Sequence, residues 1–161
     1  MARLHVPIGL RWSDFDAYAH VNNAEMFRLL EEARIQAFWR PDIGHASNDE
    51  ALGTAILDAR PGAKVNALIA RQEIEYLAPI PYMRQPLDVE LWIGRIGGAS
   101  LELCYEIYSP AGVMPRVLFV RAATTLVMVE VATGKPLRLD AEQRAAWEPY
   151  LEPPVVFSNR H

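Results

Sequence analysis

The period of the hydrophobic pattern changes near residue 64, and this change limits the possible folds more than any other feature. Residues 24–39 repeat apolar side chains at helical spacing, which predicts an amphipathic helix with one buried stripe. Its stripe consists of Met26, Leu29, Leu30, Ala33 and Ala37. Beyond residue 64, apolar and polar residues alternate over long segments, as in half-buried antiparallel strands. One long helix followed by such strands predicts two layers in an α+β fold.

Short-range signals give the expected limits of these elements. A first strand is predicted over residues 3–12, and further strands are predicted over 65–77, 87–96, 100–108 and 116–131. Gly97-Gly98 and Pro110-Ala-Gly112 are turn signals between the later strands. Asn22 can cap the long helix, Glu25 suggests a capping box, and Pro41 ends it.

Two regions have weaker signals. Residues 42–63 are mixed: HASNDE reads as an exposed loop, and ALGTAILDA fits a short helix or a strand equally well. Near the end, residues 139–149 predict a short helix opened near Asp140. The chain after Pro153-Pro154 is expected to be a loose tail.

The chain of 161 residues suits a single domain, for which we expect residues 1–152, with a tail over 153–161. With 51% hydrophobic residues it can bury a sizeable core. One helix covers only one face of a sheet, so the other face and the edges invite pairing with a second subunit. A homodimer or homotetramer is therefore expected.

Composition excludes several classes of protein and site. A formal net charge of −4 disfavours nucleic-acid binding, which requires a basic face. A single cysteine, Cys104, excludes an internal disulfide, and the histidines lack metal-ligand spacing, so no metal is expected. Neither a signal peptide nor a membrane-spanning run is visible, and a cytoplasmic location is the expectation.

The densest polar cluster lies between the first strand and the long helix, in the segment SDFDAYAHVNN. Free backbone N–H groups at a helix start can bind a developing oxyanion, such as a polarised thioester carbonyl. Asp16 could act as a nucleophile or as a base for water, and His20 could orient the substrate. The alternative is that these residues only form turns and caps, for which Asp and Asn are common.

The segment RWSDFDAYAHVNNAEMFRLLEEAR, residues 11–34, resembles the opening of hotdog-fold acyl-CoA thioesterases of the 4-hydroxybenzoyl-CoA thioesterase type. It is also similar to the D-x-D-x-x-x-H-V-N-N segment of plant acyl-ACP thioesterases. Further on, RQEIEYLAPIPYMRQPLDVELWIGRIGGASLELCYEI, residues 71–107, resembles the following strands of the family, where a tyrosine and a proline precede a turn. The resemblance spans roughly residues 4–131 and implies a hotdog fold, a long central helix wrapped by a curved antiparallel sheet of about five strands.

The resemblance also implies roles for individual residues. Asp16 takes the place of the catalytic carboxylate, with His20 and Asn23 beside it, and backbone amides from Asn22 to Ala24 polarise the carbonyl. Two positions depart from the pattern. Relatives often have Gly where this chain has Ala19, and the plant enzymes have Asn where it has Tyr18.

The family's acidic helix position corresponds to Glu31 or Glu32. Helical geometry places Glu31 at the margin of the apolar face, which makes it the better candidate for a partly buried carboxylate that contacts substrate. Ordinary ion pairing, such as Glu31 with Arg34, is the alternative. Arg71 is a candidate ligand of the coenzyme A phosphates, although it could equally be a solvated charge on a strand.

These observations predict hydrolysis of an acyl-CoA or acyl carrier protein thioester, with no cofactor beyond the substrate's own coenzyme A. One alternative is a hotdog hydratase or dehydratase acting on enoyl or hydroxyacyl thioesters. The spacing from Asp16 to His20 fits that reading less well. The other alternative is a non-catalytic module that binds acyl-CoA, which would not need Asp16.

Overall fold

The computed structural model describes residues 2–41 and 53–158, and five strands and two α-helices are found there. They are β1 (Leu4–Ile8), α1 (Asn23–Phe38), β2 (Val65–Tyr76), β3 (Leu87–Ile96), β4 (Ser100–Tyr108), β5 (Leu118–Glu130) and α2 (Ala141–Trp147). The strands form one antiparallel sheet in the order β1-β3-β4-β5-β2. The predicted α+β arrangement of one long helix on an antiparallel sheet is confirmed.

The core lies between α1 and the sheet. We call the face of the sheet that packs against α1 the inner face. The predicted stripe of α1 is buried there, together with Phe38. Alternate residues of the sheet supply the other half: Leu4, Val6, Ile8, Leu87, Val89, Leu91, Ile93, Leu101, Leu103, Tyr105, Ile107, Val120, Ala122, Leu126 and Met128. Each buried Leu or Ile contributes about 1.5–3 kcal/mol, so this contact accounts for most of the stabilisation by apolar burial.

The start of α1 differs in one detail from the expectation. The Asn22 side chain caps the helix by accepting a hydrogen bond from the Ala24 amide at 2.9 Å. Glu25 does not complete a capping box, because its carboxylate accepts instead from Arg28 Nε at 3.0 Å. A basic side chain one turn away is thus the preferred partner of Glu25.

Two regions differ from the prediction: the end of the first strand and the segment before β2. The first strand ends at Ile8 rather than at residue 12, because Trp12–Asp14 form a 3-10 turn. HASNDE, residues 45–50, lies outside the described residues. In the described part of ALGTAILDA the chain forms neither a helix nor a strand, and Leu57 is joined to Trp39 by an isolated bridge.

The end of the chain was wrongly predicted as a loose tail. Residues 151–158, which we call the C-terminal strap, lie across the outer face of the sheet, the face opposite α1. Leu151 forms a bridge with Ile93, and the Glu152 amide donates to the Ile93 carbonyl at 2.9 Å. Trp92 Nε1 donates to the Pro153 carbonyl at 3.0 Å. Prolines keep the strap extended, and side chains of several strands hold it.

Within the described residues, no helix is long and apolar enough to cross a membrane.

Candidate active site

Asp14 is the buried anchor of the loop that precedes α1. Its side chain is fully buried and accepts hydrogen bonds from the Arg11 amide at 2.7 Å and from Arg28 Nη2 at 2.8 Å. Burial raises the pKa of this carboxyl, but the hydrogen bonds from Arg11 and Arg28 outweigh it and hold the pKa below its usual value. The Asp14 carbonyl also accepts from the Asn22 amide at 2.8 Å, which closes the loop. The role of Asp14 is therefore to fix the loop against α1.

The segment from Asp16 to His20 is a tight turn that presents the Asp16 carboxylate. Asp16 Oδ1 accepts from the Tyr18 amide at 2.8 Å and from the His20 amide at 3.4 Å, a local pattern typical of Asp in turns. Ala19 completes the turn with φ of 60°, in the left-handed region that favours glycine. A glycine would therefore adopt the conformation of this position without strain.

Asp16 is half-buried and His20 is exposed. Asp16 Oδ2 has no hydrogen-bond partner among the described residues, and the His20 side chain is exposed. One carboxylate oxygen is thus held by the turn while the other is available to a water molecule or a substrate. Such an arrangement suits a nucleophile or a base whose direction is set by the backbone.

The amides at the start of α1 are not equally available. Those of Asn22 and Ala24 already donate within the loop, to the Asp14 carbonyl and to Asn22 Oδ1. In the described part of the chain, the amide of Asn23 has no acceptor. Of the predicted set from Asn22 to Ala24, Asn23 therefore has the donor free for a thioester carbonyl.

Tyr76 is a site residue whose contact the sequence did not predict. It ends β2, and its hydroxyl donates to the Asn23 carbonyl at 2.9 Å. Burial raises the pKa of Tyr76, which keeps the hydroxyl protonated and able to donate. The only signal in the sequence was the tyrosine before Pro79 in the resembling segment, which carried no indication of a contact with α1.

An aromatic cluster borders the loop. Trp12, Phe15 and Tyr82 pack in tilted and edge-on contacts with ring centroids 5.4–6.1 Å apart. The Val21 amide donates to the Ile80 carbonyl at 3.0 Å, which holds the segment before Tyr82 against the loop. These contacts attach the loop to the segment that contains Ile80 and Tyr82.

Two predicted substrate-binding residues lie apart from this loop. The Glu31 side chain is 60% exposed, so its expected partial burial is wrong, and it lies 3.8 Å from Arg34, the pairing considered as the alternative. Glu31 follows Asn23 by eight residues of α1, about 12 Å along the axis. Arg71 is 73% exposed and pairs with Glu73 at 3.1 Å. Its contact with coenzyme A stays a prediction, as do the roles of Asp16, His20 and Asn23.

In residues 2–41 and 53–158, no three His, Cys, Asp or Glu side chains are grouped so that they could hold a metal ion.

Comparisons with known proteins connect this geometry with a family. The family model of the thioesterase-like superfamily matches residues 10–147, which include the loop, α1 and the whole of β2 to β5. No protein of curated function matches the chain at a significant level.

Solved structures of similar fold include the PA2801 protein from Pseudomonas aeruginosa, with 30% identity and a TM-score of 0.67 over 88% of this chain and 95% of that one. The PA5185 protein from the same organism has 23% identity and a TM-score of 0.72 over 94% of both chains. A DHNA-CoA thioesterase from Staphylococcus aureus has 16% identity and a TM-score of 0.69, over 92% of this chain and 91% of that one.

The match of the family model covers most of the chain, and the long helix on a five-stranded antiparallel sheet is the fold that the resemblance implied. The chain belongs to the thioesterase-like superfamily and is a thioester hydrolase of the hotdog fold.

Proposed function

We propose that the protein hydrolyses acyl-CoA thioesters at the loop before α1, with Asp16 as the reactive carboxylate. The proposal rests on two groups in one short segment, neither of which has a hydrogen-bond partner among the described residues. One is Asp16 Oδ2, and the other is the Asn23 amide at the positive end of the α1 dipole. A carboxylate in the same loop as a free helix-start amide can supply the two functions that thioester hydrolysis needs.

In the proposed reaction the thioester carbonyl accepts a hydrogen bond from the Asn23 amide, which stabilises negative charge on the carbonyl oxygen. Asp16 either removes a proton from water as it attacks, or attacks the carbonyl itself to form an anhydride that water then opens. The carbon–sulfur bond breaks, and the products are the free acid and the coenzyme A thiol. His20, exposed beside Asp16, helps to orient the carbonyl or the water.

We propose that the acyl group of the substrate is attached to coenzyme A rather than to acyl carrier protein. Two similar structures are described as coenzyme A thioesterases, from Staphylococcus aureus and from Synechocystis. Arg71 and Arg84 are exposed cations on this chain that could pair with phosphates. We also propose a cytoplasmic location, because the proposed substrates of the protein are coenzyme A thioesters.

Release of free thiol from a panel of acyl-CoA and acyl carrier protein thioesters tests the proposal. Asp16→Asn should reduce turnover by at least about 100-fold, the usual scale for a lost general base. Glu142→Gln is the matched control, because Glu142 is an exposed carboxylate on α2 that pairs with Arg40. Near-full turnover in Asp16→Asn would refute the mechanism. Loss of enoyl absorbance from crotonyl-CoA without thiol release would indicate a hydratase instead.

We further propose that the protein assembles as a homodimer, or as a tetramer built from such dimers, through the edge of β2. Among the described strands, β2 pairs only with β5, and Leu68 and Ile69 are 50% and 42% exposed on it. An exposed apolar edge strand is a ready surface for a second strand. Light scattering should report a dimer or a tetramer for the unchanged chain, and Leu68→Lys should shift it toward the monomer. A monomeric unchanged chain would contradict the assembly.

A further inference from the structure

We propose that the C-terminal strap is a positioning element of the candidate site, which acts through the end of β2 on Tyr76. The strap, residues 151–158, crosses the outer face of the sheet and ends on Glu75. The next residue, Tyr76, points to the inner face and contacts the first residue of α1. The inference rests on the proposed function, and it adds residues that the loop motif does not include.

The strap is held along its whole length by groups from different strands. Arg3, just before β1, donates to the Glu152 carboxylate at 2.8 Å and 3.1 Å. The hydrogen bonds from Arg3 hold the pKa of Glu152 below its usual value, so this pair is charged at neutral pH. Farther along, Arg121 Nη1 on β5 donates to the Val156 carbonyl at 2.8 Å. An extended segment with so many fixed partners has a defined position on the sheet.

Close approach of the strap requires a glycine beneath it. A Cβ atom on Gly94 would lie 3.1 Å from Pro154 Cα and 2.7 Å from Cys104 Sγ. Cys104 is buried at this point, and its burial raises the pKa of the thiol to about 11. A cavity of about 350 Å³ remains beside the contact, lined by Arg3, Trp92 and strap residues. The strap therefore packs directly on the sheet at Gly94 and borders an open pocket beside that contact.

The last described residue of the strap makes the contact that matters for the site. The Ser158 amide donates to Glu75 Oε2 at 2.9 Å, and the Ser158 hydroxyl donates to Glu75 Oε1 at 3.1 Å. Both oxygens of one carboxylate are thus engaged by one residue. Arg121 Nε lies 3.6 Å from the same carboxylate, so the end of the strap and β5 hold Glu75 together.

Glu75 and Tyr76 lie on opposite faces of β2 because side chains alternate along a strand. Fixing Glu75 from outside therefore limits the movement of Tyr76 on the inside. The Tyr76 hydroxyl donates to the carbonyl of Asn23, whose amide is the proposed donor to the thioester carbonyl. Small displacements of such donors can lower turnover substantially, up to about 100-fold for about 1 Å.

Graded variants of Ser158 test the coupling. Ser158→Ala removes the hydroxyl donor, and Ser158→Pro removes both donors. We expect kcat to fall by about 2-fold and about 5-fold respectively, with KM nearly unchanged, since the loss concerns position rather than substrate contact. Val156→Ala is the control, because its exposed side chain leaves the carbonyl contact with Arg121 intact.

A double-variant comparison separates positioning from general weakening of the fold. Tyr76→Phe should lower kcat, and Ser158→Pro should add little in the Tyr76→Phe background, because both act through one hydroxyl contact. Multiplicative effects, or no effect of Ser158→Pro on kcat, would overturn the proposal.

A measurement without substrate keeps the strap separate from the proposed function. The amides of Leu77 and Ala78 donate to the Phe119 carbonyl at the end of β2. Their hydrogen exchange should accelerate in Ser158→Pro and stay unchanged in Val156→Ala. Unchanged exchange would overturn the strap's role. A chain that hydrolyses no thioester, but shows faster exchange here, would refute the proposed function alone.

Discussion

The loop before α1 and the C-terminal strap are both irregular segments fixed by polar contacts, but their partners differ in sequence distance. In the loop, Asp16 accepts from amides two and four residues away, and Asp14 accepts from Arg11 three residues before it. In the strap, Glu152 pairs with Arg3 and Ser158 pairs with Glu75. The polar contacts within the loop are therefore mostly local, with Ile80 and Tyr82 as its distant partners, whereas the contacts of the strap form only on a completed sheet.

The largest expected effect lies in the loop. Asp14→Ala removes the buried carboxylate that accepts from the Arg11 amide and from Arg28, which is 35% exposed and keeps Glu25 as a partner, so we expect a loss of about 1.5–3 kcal/mol in the free energy of unfolding. Glu25→Ala is the control, since Glu25 pairs with the same arginine at a more exposed position and should cost less than about 1 kcal/mol. Urea denaturation measures both. Equal losses would show that Asp14 is an ordinary surface ion pair.

Acid should weaken both segments, although less than Asp14→Ala does, because a protonated carboxyl keeps part of its hydrogen bonding. Asp14 and Glu152 have pKa values below those of the unfolded chain, so their contribution is present above about pH 4 and is lost as the pH falls through the folded-state pKa. Unfolding measured from pH 6 to pH 2 should show this slope. Glu152→Gln should remove only the part of this slope that comes from the Arg3–Glu152 pair of the strap. A slope in Glu152→Gln equal to that of the unchanged chain would contradict this expectation.

A smaller effect is expected where the strap meets the sheet. Gly94→Ala places a methyl group against Pro154 and Cys104, and we expect a cost of about 1–3 kcal/mol from overpacking. The same variant should speed the reaction of the Cys104 thiol with an alkylating reagent, because the strap is displaced. Gly98→Ala is the control, since a Cβ there meets no atom within 4 Å. Equal melting temperatures for the two variants would show that the strap yields without cost.

The smallest effect is a gain of stability in the loop. Ala19 has φ of 60°, which costs a residue with a Cβ about 1 kcal/mol, so Ala19→Gly should stabilise the protein by about 0.5 kcal/mol after the entropy cost of glycine. Ala17→Gly, in the same exposed turn but without positive φ, should be slightly destabilising. Thermal unfolding compares the two, and a loss in Ala19→Gly would contradict the strain.

The difference between local and distant contacts also explains which features could be predicted from the sequence. The stripe of α1, the alternating strands and the cap at Asn22 are local patterns, and the structure has them within a few residues of the expected limits. The contact from Tyr76 to Asn23 and the pairs that hold the strap join residues far apart in the chain, and no periodicity signals them. Glu31 was misplaced for a related reason. Its burial depends on how far the sheet extends past α1, which helix geometry does not determine.

The position of β2 has a consequence for how the chain folds. The strands β3, β4 and β5 follow one another in sequence and in the sheet, so short hairpins can form them early. Pairing β2 with β5 requires closure of a long loop around that meander, as in the pair Val65 and Glu130, which costs more chain entropy. The strand that carries Tyr76 should therefore join late. The proposed active site would then be completed among the last steps of folding, after most of the sheet is in place.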